Sequence, residues 1–200
     1  MTDAHGHGRG HQHDRRYASP AERLRAPSRL ALMEIPRVVT LSLEGLTAAR
    51  VLDVGTGTGV FAEAFARRGL EVTGIDPNSE LLSLARGHVP GARFLAGVAE
   101  KLPFEDQSFD LVFLGHVLHE TDDRHATLAE ARRVARLRVA ILEWPYVEEE
   151  QGPPLGHRLQ PSEIVSVAQG AGLITIESFT LSHMQLSILA PRAPDAHELH

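Results

Sequence analysis

Three glycines at alternate positions follow a short apolar segment, and this arrangement is suited to binding a nucleotide-like cofactor. The apolar run 50–54 contains a single acid, Asp53. The glycines come directly after it: Gly55, Gly57 and Gly59. Glycines permit a tight turn and let backbone amides approach a ligand that a Cβ atom would hold away. Asp53 needs a cationic or hydrogen-bonding partner if it is buried, and the amino-acid end of a cofactor supplies one.

A second acid and a glycine-alanine-glutamate stretch make this signal more specific. Asp76 ends the apolar run 71–75, at a distance from the glycines that suits an acid binding both hydroxyls of a ribose. Further on, the segment 97–104 reads Gly-Val-Ala-Glu-Lys-Leu-Pro-Phe. Glycine spacing alone also fits dinucleotide enzymes, so the order of the three motifs carries the argument.

Strands and helices that position these motifs are predicted to alternate along the chain. Strands are predicted over 50–54, 71–75, 92–95, 108–114, 138–142, 173–179 and 184–189. Helices are predicted over 60–68, 80–87, 124–135 and 161–170, with the second closing at Gly87. The alternation indicates an α/β fold, in which ligands bind beyond the carboxyl ends of the strands. Because the linker 180–183 is short, the last strand is expected to be antiparallel.

The combined motifs resemble the class I S-adenosylmethionine-dependent methyltransferases, specifically the type 11 group. The matching pieces are the Asp-x-Gly-x-Gly-x-Gly run, Asp76, the Gly-x-Ala-Glu-x-Leu-Pro-Phe stretch and the Ser-Phe-Asp-Leu-Val strand at 108–112. The resemblance implies a Rossmann-like, seven-stranded and mostly parallel sheet with helices on both faces and an antiparallel last strand. It also implies S-adenosylmethionine as the cofactor.

The resemblance assigns cofactor roles to individual residues. The glycine loop with Thr56 would pack against the methionine part, Asp53 would bind near the amino group, and Asp76 would hold the ribose diol. Ala99 would meet the adenine through its backbone. The full set is Asp53, Gly55, Thr56, Gly57, Gly59, Asp76, Pro77, Val98, Ala99 and Gly115.

Two positions depart from the family pattern. Val98 stands where many relatives carry an acid or amide that bonds the adenine amino group. Relatives also usually have a proline-glycine-glycine turn before the fifth strand, and segment 134–139 lacks it. The turn here is expected to be tighter, or made differently.

Candidates for the acceptor pocket follow the fourth and fifth predicted strands. They are His116, His119, Trp144 and Tyr146. Methyl transfer requires the acceptor atom to be held in line with the methyl group, and it needs a base only if the acceptor must lose a proton. The histidines could titrate near neutrality, with Glu120 or Asp122 orienting one of them. Alternatively, the histidines have structural roles and the two aromatic residues only pack in the core.

Three functions are compatible with these motifs to different degrees. The leading hypothesis is a methyltransferase that acts on a small-molecule acceptor by in-line displacement. The alternative is a non-catalytic module of the same fold that binds or senses S-adenosylmethionine or S-adenosylhomocysteine. A nicotinamide oxidoreductase is a third interpretation, against which the placement of Asp53 and the later Gly-x-Ala-Glu stretch both argue.

Bulk composition bounds the remaining possibilities. The length of 200 residues suits one α/β domain, and no apolar run is long enough to span a membrane. The formal net charge of −6 argues against non-specific nucleic-acid binding. The absence of cysteine excludes disulfides and thiolate zinc sites, so a cytoplasmic location is expected and no metal site is predicted. The oligomeric state does not follow from the sequence.

The amino-terminal part is expected to divide into two segments before the core at 46–200. Segment 1–14 is predicted to be mobile, and its histidines either chelate a metal or are incidental; they are His5, His7, His11 and His13. Segment 15–45 is predicted to form lid-like helices, with a helix start at 19–22, Tyr17 as a contact candidate and Pro36 as a point of interruption in helix 29–43.

Overall fold

The computed structural model describes residues 21–192, which build one seven-stranded sheet. The strands are Arg50–Val54 (β1), Glu71–Asp76 (β2), Arg93–Ala96 (β3), Phe109–Gly115 (β4), Ala135–Glu143 (β5), Leu173–Thr180 (β6) and Gln185–Pro191 (β7). Their order is β3-β2-β1-β4-β5-β7-β6. Strand β7 is antiparallel to both of its neighbours, and the other pairs are parallel. The predicted fold class and the antiparallel last strand are confirmed.

Helices cover both faces of the sheet. They are Ala21–Leu24 (α1), Pro27–Leu32 (α2), Ile35–Leu43 (α3), Val60–Ala66 (α4), Ser79–His88 (α5), Arg124–Val134 (α6) and Pro161–Gly170 (α7), with a 3-10 turn at Leu155–His157. Helices α3, α4 and α5 contribute to the core on one face, and α6 and α7 contribute to the core on the other. No helix in residues 21–192 is long and apolar enough to cross a membrane.

The central strands bury side chains on both faces, as their continuous apolar sequences predict. In β4, Leu111 and Phe113 belong to one core, whereas Val112 and Leu114 belong to the other. This alternation follows from the two-residue period of a strand. The central sheet is therefore a rigid support for the residues at its carboxyl edge.

The predicted helix 29–43 is in fact two helices, and the break does not lie at Pro36. It lies at Met33 and Glu34, where Glu34 adopts a left-handed conformation with φ of 43°. Pro36 occupies the first turn of α3, where the missing N–H has no helical partner to lose. The predicted helix end at Gly87 is also wrong, because α5 continues through Gly87 to His88.

Helix α6 passes directly into β5, without a separate turn. The backbone N–H of Ala135 still donates to Ala131 in the helix, while Ala135 already pairs with Phe109 in the sheet. The strand therefore begins three residues before the predicted start at 138. An irregular register between Phe109 and Leu111 accommodates this junction. Of the two expected alternatives, a tighter turn or a connection made differently, the second is confirmed, because the helix changes directly into a strand.

The predictions for the extreme amino terminus fall on residues that the structure does not describe. They are the histidines of segment 1–14, Tyr17 and the first two residues of the helix start at 19–22. The division into segments 1–14, 15–45 and 46–200 therefore stays a prediction.

Candidate cofactor and acceptor site

A cavity of about 690 Å³ opens at the carboxyl ends of β1, β2 and β4. This volume is typical of a site for a cofactor-sized ligand. Its wall is formed by the glycine loop, the exits of β2 and β4, the loop 97–100 and residues from the first helices. The position agrees with the expected ligand site of an open α/β sheet.

The glycine loop is held in a conformation that residues with side chains rarely adopt. The φ angles are 65° at Gly55, 54° at Gly57 and 77° at Gly59. A Cβ atom on Gly55 would lie 2.3 Å from Cγ2 of Val117. Gly57 has no such close neighbour. The first glycine therefore allows close packing of two loops, and the second keeps backbone open toward the cavity.

Asp53 lies beneath the glycine loop and does not line the cavity. Its side chain is buried, and Oδ2 accepts hydrogen bonds from the Thr56 hydroxyl at 2.6 Å and the Ala62 N–H at 3.1 Å. Burial raises the pKa of Asp53 to about 7. Gly59 also lies behind the wall, where it precedes α4. A contact between Asp53 and the amino group of a cofactor stays a prediction.

Asp76 is placed at the edge of the cavity with both carboxylate oxygens engaged. Oδ2 accepts the N–H of Gly57 at 2.9 Å, and Oδ1 accepts the N–H of Asn78 at 2.8 Å. Burial raises the pKa of this carboxyl. Each carboxylate oxygen has two lone pairs, so one on each remains for a further donor such as a ribose hydroxyl.

Eight of the ten predicted cofactor residues line the cavity. They are Gly55, Thr56, Gly57, Asp76, Pro77, Val98, Ala99 and Gly115. Ile75, Val98 and Ala99 supply apolar surface for a flat ring, and Asp76 supplies acceptors for hydroxyl groups. The lining therefore fits a nucleoside with a polar tail.

Residues after β4 and in the first helices form another part of the cavity wall. Arg29, Met33, His116, Glu120 and Thr121 line this part, which we call the acceptor end. Sequence reasoning missed Arg29 and Met33, because nothing in their local pattern indicates that α2 folds over the sheet edge. Arg25 holds this part of the chain, since its guanidinium donates to the carbonyl of Thr58 at 3.1 Å and to Glu63 at 2.9 Å.

His116 is a neutral, partly buried side chain at the acceptor end. Within residues 21–192, neither ring nitrogen has a hydrogen-bond partner or solvent contact. Burial lowers the pKa of His116 well below its usual value, and Arg29 lowers it further. The backbone is left-handed here, with φ of 61°, and the ring packs on Trp144 with centroids 5.1 Å apart.

His119 is oriented by a residue that the sequence analysis did not pair with it. Its Nδ1 lies 2.7 Å from Oε2 of Glu143, the last residue of β5. Of the two predicted partners, Glu120 is near, with its Oε1 3.7 Å from Nε2. Asp122 instead donates its backbone N–H to Glu100. Glu143 could have been suspected as a lone charge that ends an apolar strand.

The two aromatic candidates do not line the cavity. Trp144 is buried behind His116, and the guanidinium of Arg158 lies 5.6 Å from its ring centroid. Tyr146 is 40% exposed, and neither aromatic side chain forms part of the cavity wall. No group of three potential metal ligands occurs in residues 21–192.

Comparison with known proteins agrees with this geometry. Residues 52–140 match the family described as methyltransferase domain. A demethylmenaquinone methyltransferase from Thermotoga maritima is 40% identical over 111 residues, which cover 54% of this chain and 48% of that protein. An uncharacterised methyltransferase from Mycobacterium tuberculosis is 39% identical over 89 residues, which cover 44% of this chain and 36% of that protein. The chain thus spans half or less of the length of these relatives.

A solved structure extends the similarity across the fold. A methyltransferase from Aquifex aeolicus, described as dependent on S-adenosylmethionine, superimposes with a TM-score of 0.77 at 25% identity. The match covers 85% of this chain and 96% of that one. Residues 52–140 thus match a methyltransferase family, and the fold matches that of an S-adenosylmethionine-dependent methyltransferase, as the motifs of residues 50–145 predicted. This family and fold imply S-adenosylmethionine as the cofactor.

Proposed function

We propose that this protein transfers a methyl group from S-adenosylmethionine to a small-molecule acceptor bound at the acceptor end of the cavity. The observation that carries the proposal is Asp76, whose carboxylate holds the glycine loop and retains lone pairs for a ribose. The cofactor supplies an electrophilic methyl group next to a leaving sulfur. The residues of the chain bind both partners and keep the acceptor atom close to that methyl group.

Residue roles within the proposal follow from position. Gly57 and its neighbours would bind the methionine part, Asp76 the ribose, and Val98 with Ala99 the adenine. Asp53 would support the loop and act on the amino group through it. Arg29, His116 and Glu120 would contact the acceptor, and the size of the cavity supports a small molecule as that acceptor.

Calorimetric titration of S-adenosylmethionine and S-adenosylhomocysteine into the purified protein tests the cofactor part. Asp76→Asn keeps the shape of the side chain but replaces one acceptor oxygen with a donor. Charged hydrogen bonds contribute about 1.5–3 kcal/mol, so Kd is expected to rise about 10- to 100-fold. Asp106→Asn is the matched control, because that carboxylate is 75% exposed and lies outside the cavity. Failure of the folded wild type to bind either compound would overturn the proposal.

The acceptor part requires a turnover assay. Methyl-labelled S-adenosylmethionine is incubated with panels of phenols, alcohols, amines and thioethers, and labelled product is separated. A dihydroxynaphthalene belongs in the panel, because relatives are named demethylmenaquinone methyltransferases. Transfer to at least one small acceptor is expected. Tight cofactor binding without transfer to any compound would favour the sensing module instead.

A further inference from the structure

Three ionisable side chains form a line from the core to the cavity. Glu143 is 2% exposed, and its carboxylate engages His119 twice, through the backbone N–H at 3.2 Å and through Nδ1 at 2.7 Å. The other ring nitrogen of His119 lies 3.7 Å from Oε1 of Glu120. Glu120 in turn lines the cavity, and its side chain is 30% exposed.

The buried carboxylate fixes the orientation of the histidine. An ionised Glu143 carboxylate accepts hydrogen bonds and cannot donate them, so Nδ1 of His119 carries the hydrogen of this contact. The other ring nitrogen, Nε2, is then directed toward Glu120. Burial alone would lower the pKa of His119, but the adjacent Glu143 and Glu120 carboxylates raise it. The structure therefore favours a charged imidazolium between two carboxyl groups.

Glu120 is the member of this line that reaches the ligand space. Burial raises its pKa to about 7, and the Glu143 and Asp76 carboxylates also raise it. His119 and Arg29 act in the opposite direction. Arg124 of α6 also acts on His119, where it lowers the pKa. A carboxyl group in these surroundings exchanges a proton near neutral pH, which suits a general base.

We propose that Glu120 removes a proton from the acceptor during methyl transfer, and that His119 and Glu143 are positioning residues that hold it for this step. The inference rests on the proposed methyltransferase function. It restricts the acceptor to molecules whose reacting atom carries a dissociable proton. Hydroxyl groups of phenols or enols meet this requirement.

Every bond, electron pair and proton in the step is accounted for. A bond forms between the acceptor oxygen and the methyl carbon, while the bond between that carbon and sulfur breaks and its electron pair stays on sulfur. The O–H proton passes to the Glu120 carboxylate. A thioether or a tertiary amine has no proton to lose, so Glu120 would contribute nothing to its methylation.

The first test requires neither cofactor nor acceptor. Side-chain carboxyl carbons are labelled with ¹³C, the Glu120 resonance is assigned by its loss in Glu120→Gln, and its titration is followed. A midpoint near pH 7 is expected. In His119→Gln, whose amide can still donate to Glu143, the midpoint should rise by about one pH unit because a neighbouring positive charge is lost. Titration of Glu120 below about pH 5 would overturn the proposal.

The second test measures methyl transfer to a phenol and to a thioether between pH 5 and 9. The rate with the phenol should rise through about pH 7, and Glu120→Gln should lower it about 100-fold or more and remove this rise. Glu100→Gln, a change in another cavity carboxylate, should keep the pH dependence. A variant Glu120→Gln that retains both rate and pH dependence would refute the assignment. Calorimetry on each variant separates loss of proton transfer from loss of cofactor binding, and hence from failure of the proposed function.

Discussion

Replacing Asp53 with asparagine is expected to stabilise the protein at neutral and alkaline pH. The side chain is 2% exposed, and a single oxygen accepts from the Thr56 hydroxyl and the Ala62 N–H. The amide oxygen of asparagine can accept the same two hydrogen bonds without any charge. The wild type must bury a carboxylate when this group ionises, so the substitution removes a cost that grows with pH.

The size of the effect follows from the pKa of Asp53. Burial raises it from 3.8 to about 7 in the folded protein. A carboxyl whose pKa is raised on folding contributes stability that is fully present below pH 3.8 and is lost as the pH rises through 7. One pH unit within this window corresponds to about 1.4 kcal/mol, and the slope falls to half at the folded pKa, so the wild type should lose about 2 kcal/mol between pH 5 and 7.

Urea denaturation of the wild type and Asp53→Asn at pH 5, 6, 7 and 8 measures this loss. Asp76 and Glu120 also have a raised pKa, but their contribution cancels when the two proteins are compared at each pH. The difference in unfolding free energy should move by about 2 kcal/mol in favour of asparagine from pH 5 to 7, and level off by pH 8. A difference that is the same at all four pH values would refute the reasoning.

Three other substitutions probe the loop, the sheet edge and the first helices. Gly55→Ala should lower the free energy of unfolding by about 3 kcal/mol or more, because the new Cβ would lie 2.3 Å from Val117. Gly45→Ala is the control: its φ of 70° is similar but its surroundings are open, so it should lower the free energy of unfolding by only about 1 kcal/mol in the same denaturation assay. Asp110→Asn should destabilise at pH 7, and the effect should shrink only below about pH 3.8. Burial raises the pKa of Asp110, yet hydrogen bonds from two backbone N–H groups and an arginine lower it overall, so its stabilisation is lost as the pH falls through the lowered pKa. Arg25→Met should raise the Kd for S-adenosylmethionine several-fold while the melting temperature changes little, since its ion pair is partly exposed.

The sequence predicted the elements that depend on local pattern. Helix 161–170 has proline and an acid in its first turn and is found at those residues. The continuous apolar runs predicted the parallel strands, and the short linker 180–183 predicted that β7 is antiparallel to β6. The helix break near Pro36 was misplaced, because the left-handed turn at Glu34 depends on how α2 and α3 pack and not on the proline alone.

The candidate site divides in the same way. The glycine loop and Asp76 are recognisable because their residue types and spacing are tied to one local conformation. The pairing of His119 with Glu143 joins residues 24 positions apart, and it depends on the parallel register that places the exits of β4 and β5 side by side. Likewise, Arg29 reaches the cavity only through the path of α2 over the sheet edge. Such contacts follow from tertiary packing, which no local periodicity encodes.

Strand register explains why the two acids next to the glycine loop differ in role. Asp53 pairs with Gly74, so Asp76 lies two residues further toward the carboxyl edge on the neighbouring strand. At about 3.3 Å per residue, this places Asp76 about 7 Å beyond the level of Asp53. The inner acid is covered by α4, and the outer acid reaches the cavity. We therefore expect a crossed result from the asparagine variants: Asp53→Asn should mainly change the pH dependence of unfolding, whereas Asp76→Asn should mainly weaken cofactor binding in calorimetry. Equal effects of both variants on both measurements would contradict the roles that we derive from strand register, with Asp53 as the inner acid and Asp76 as the outer acid.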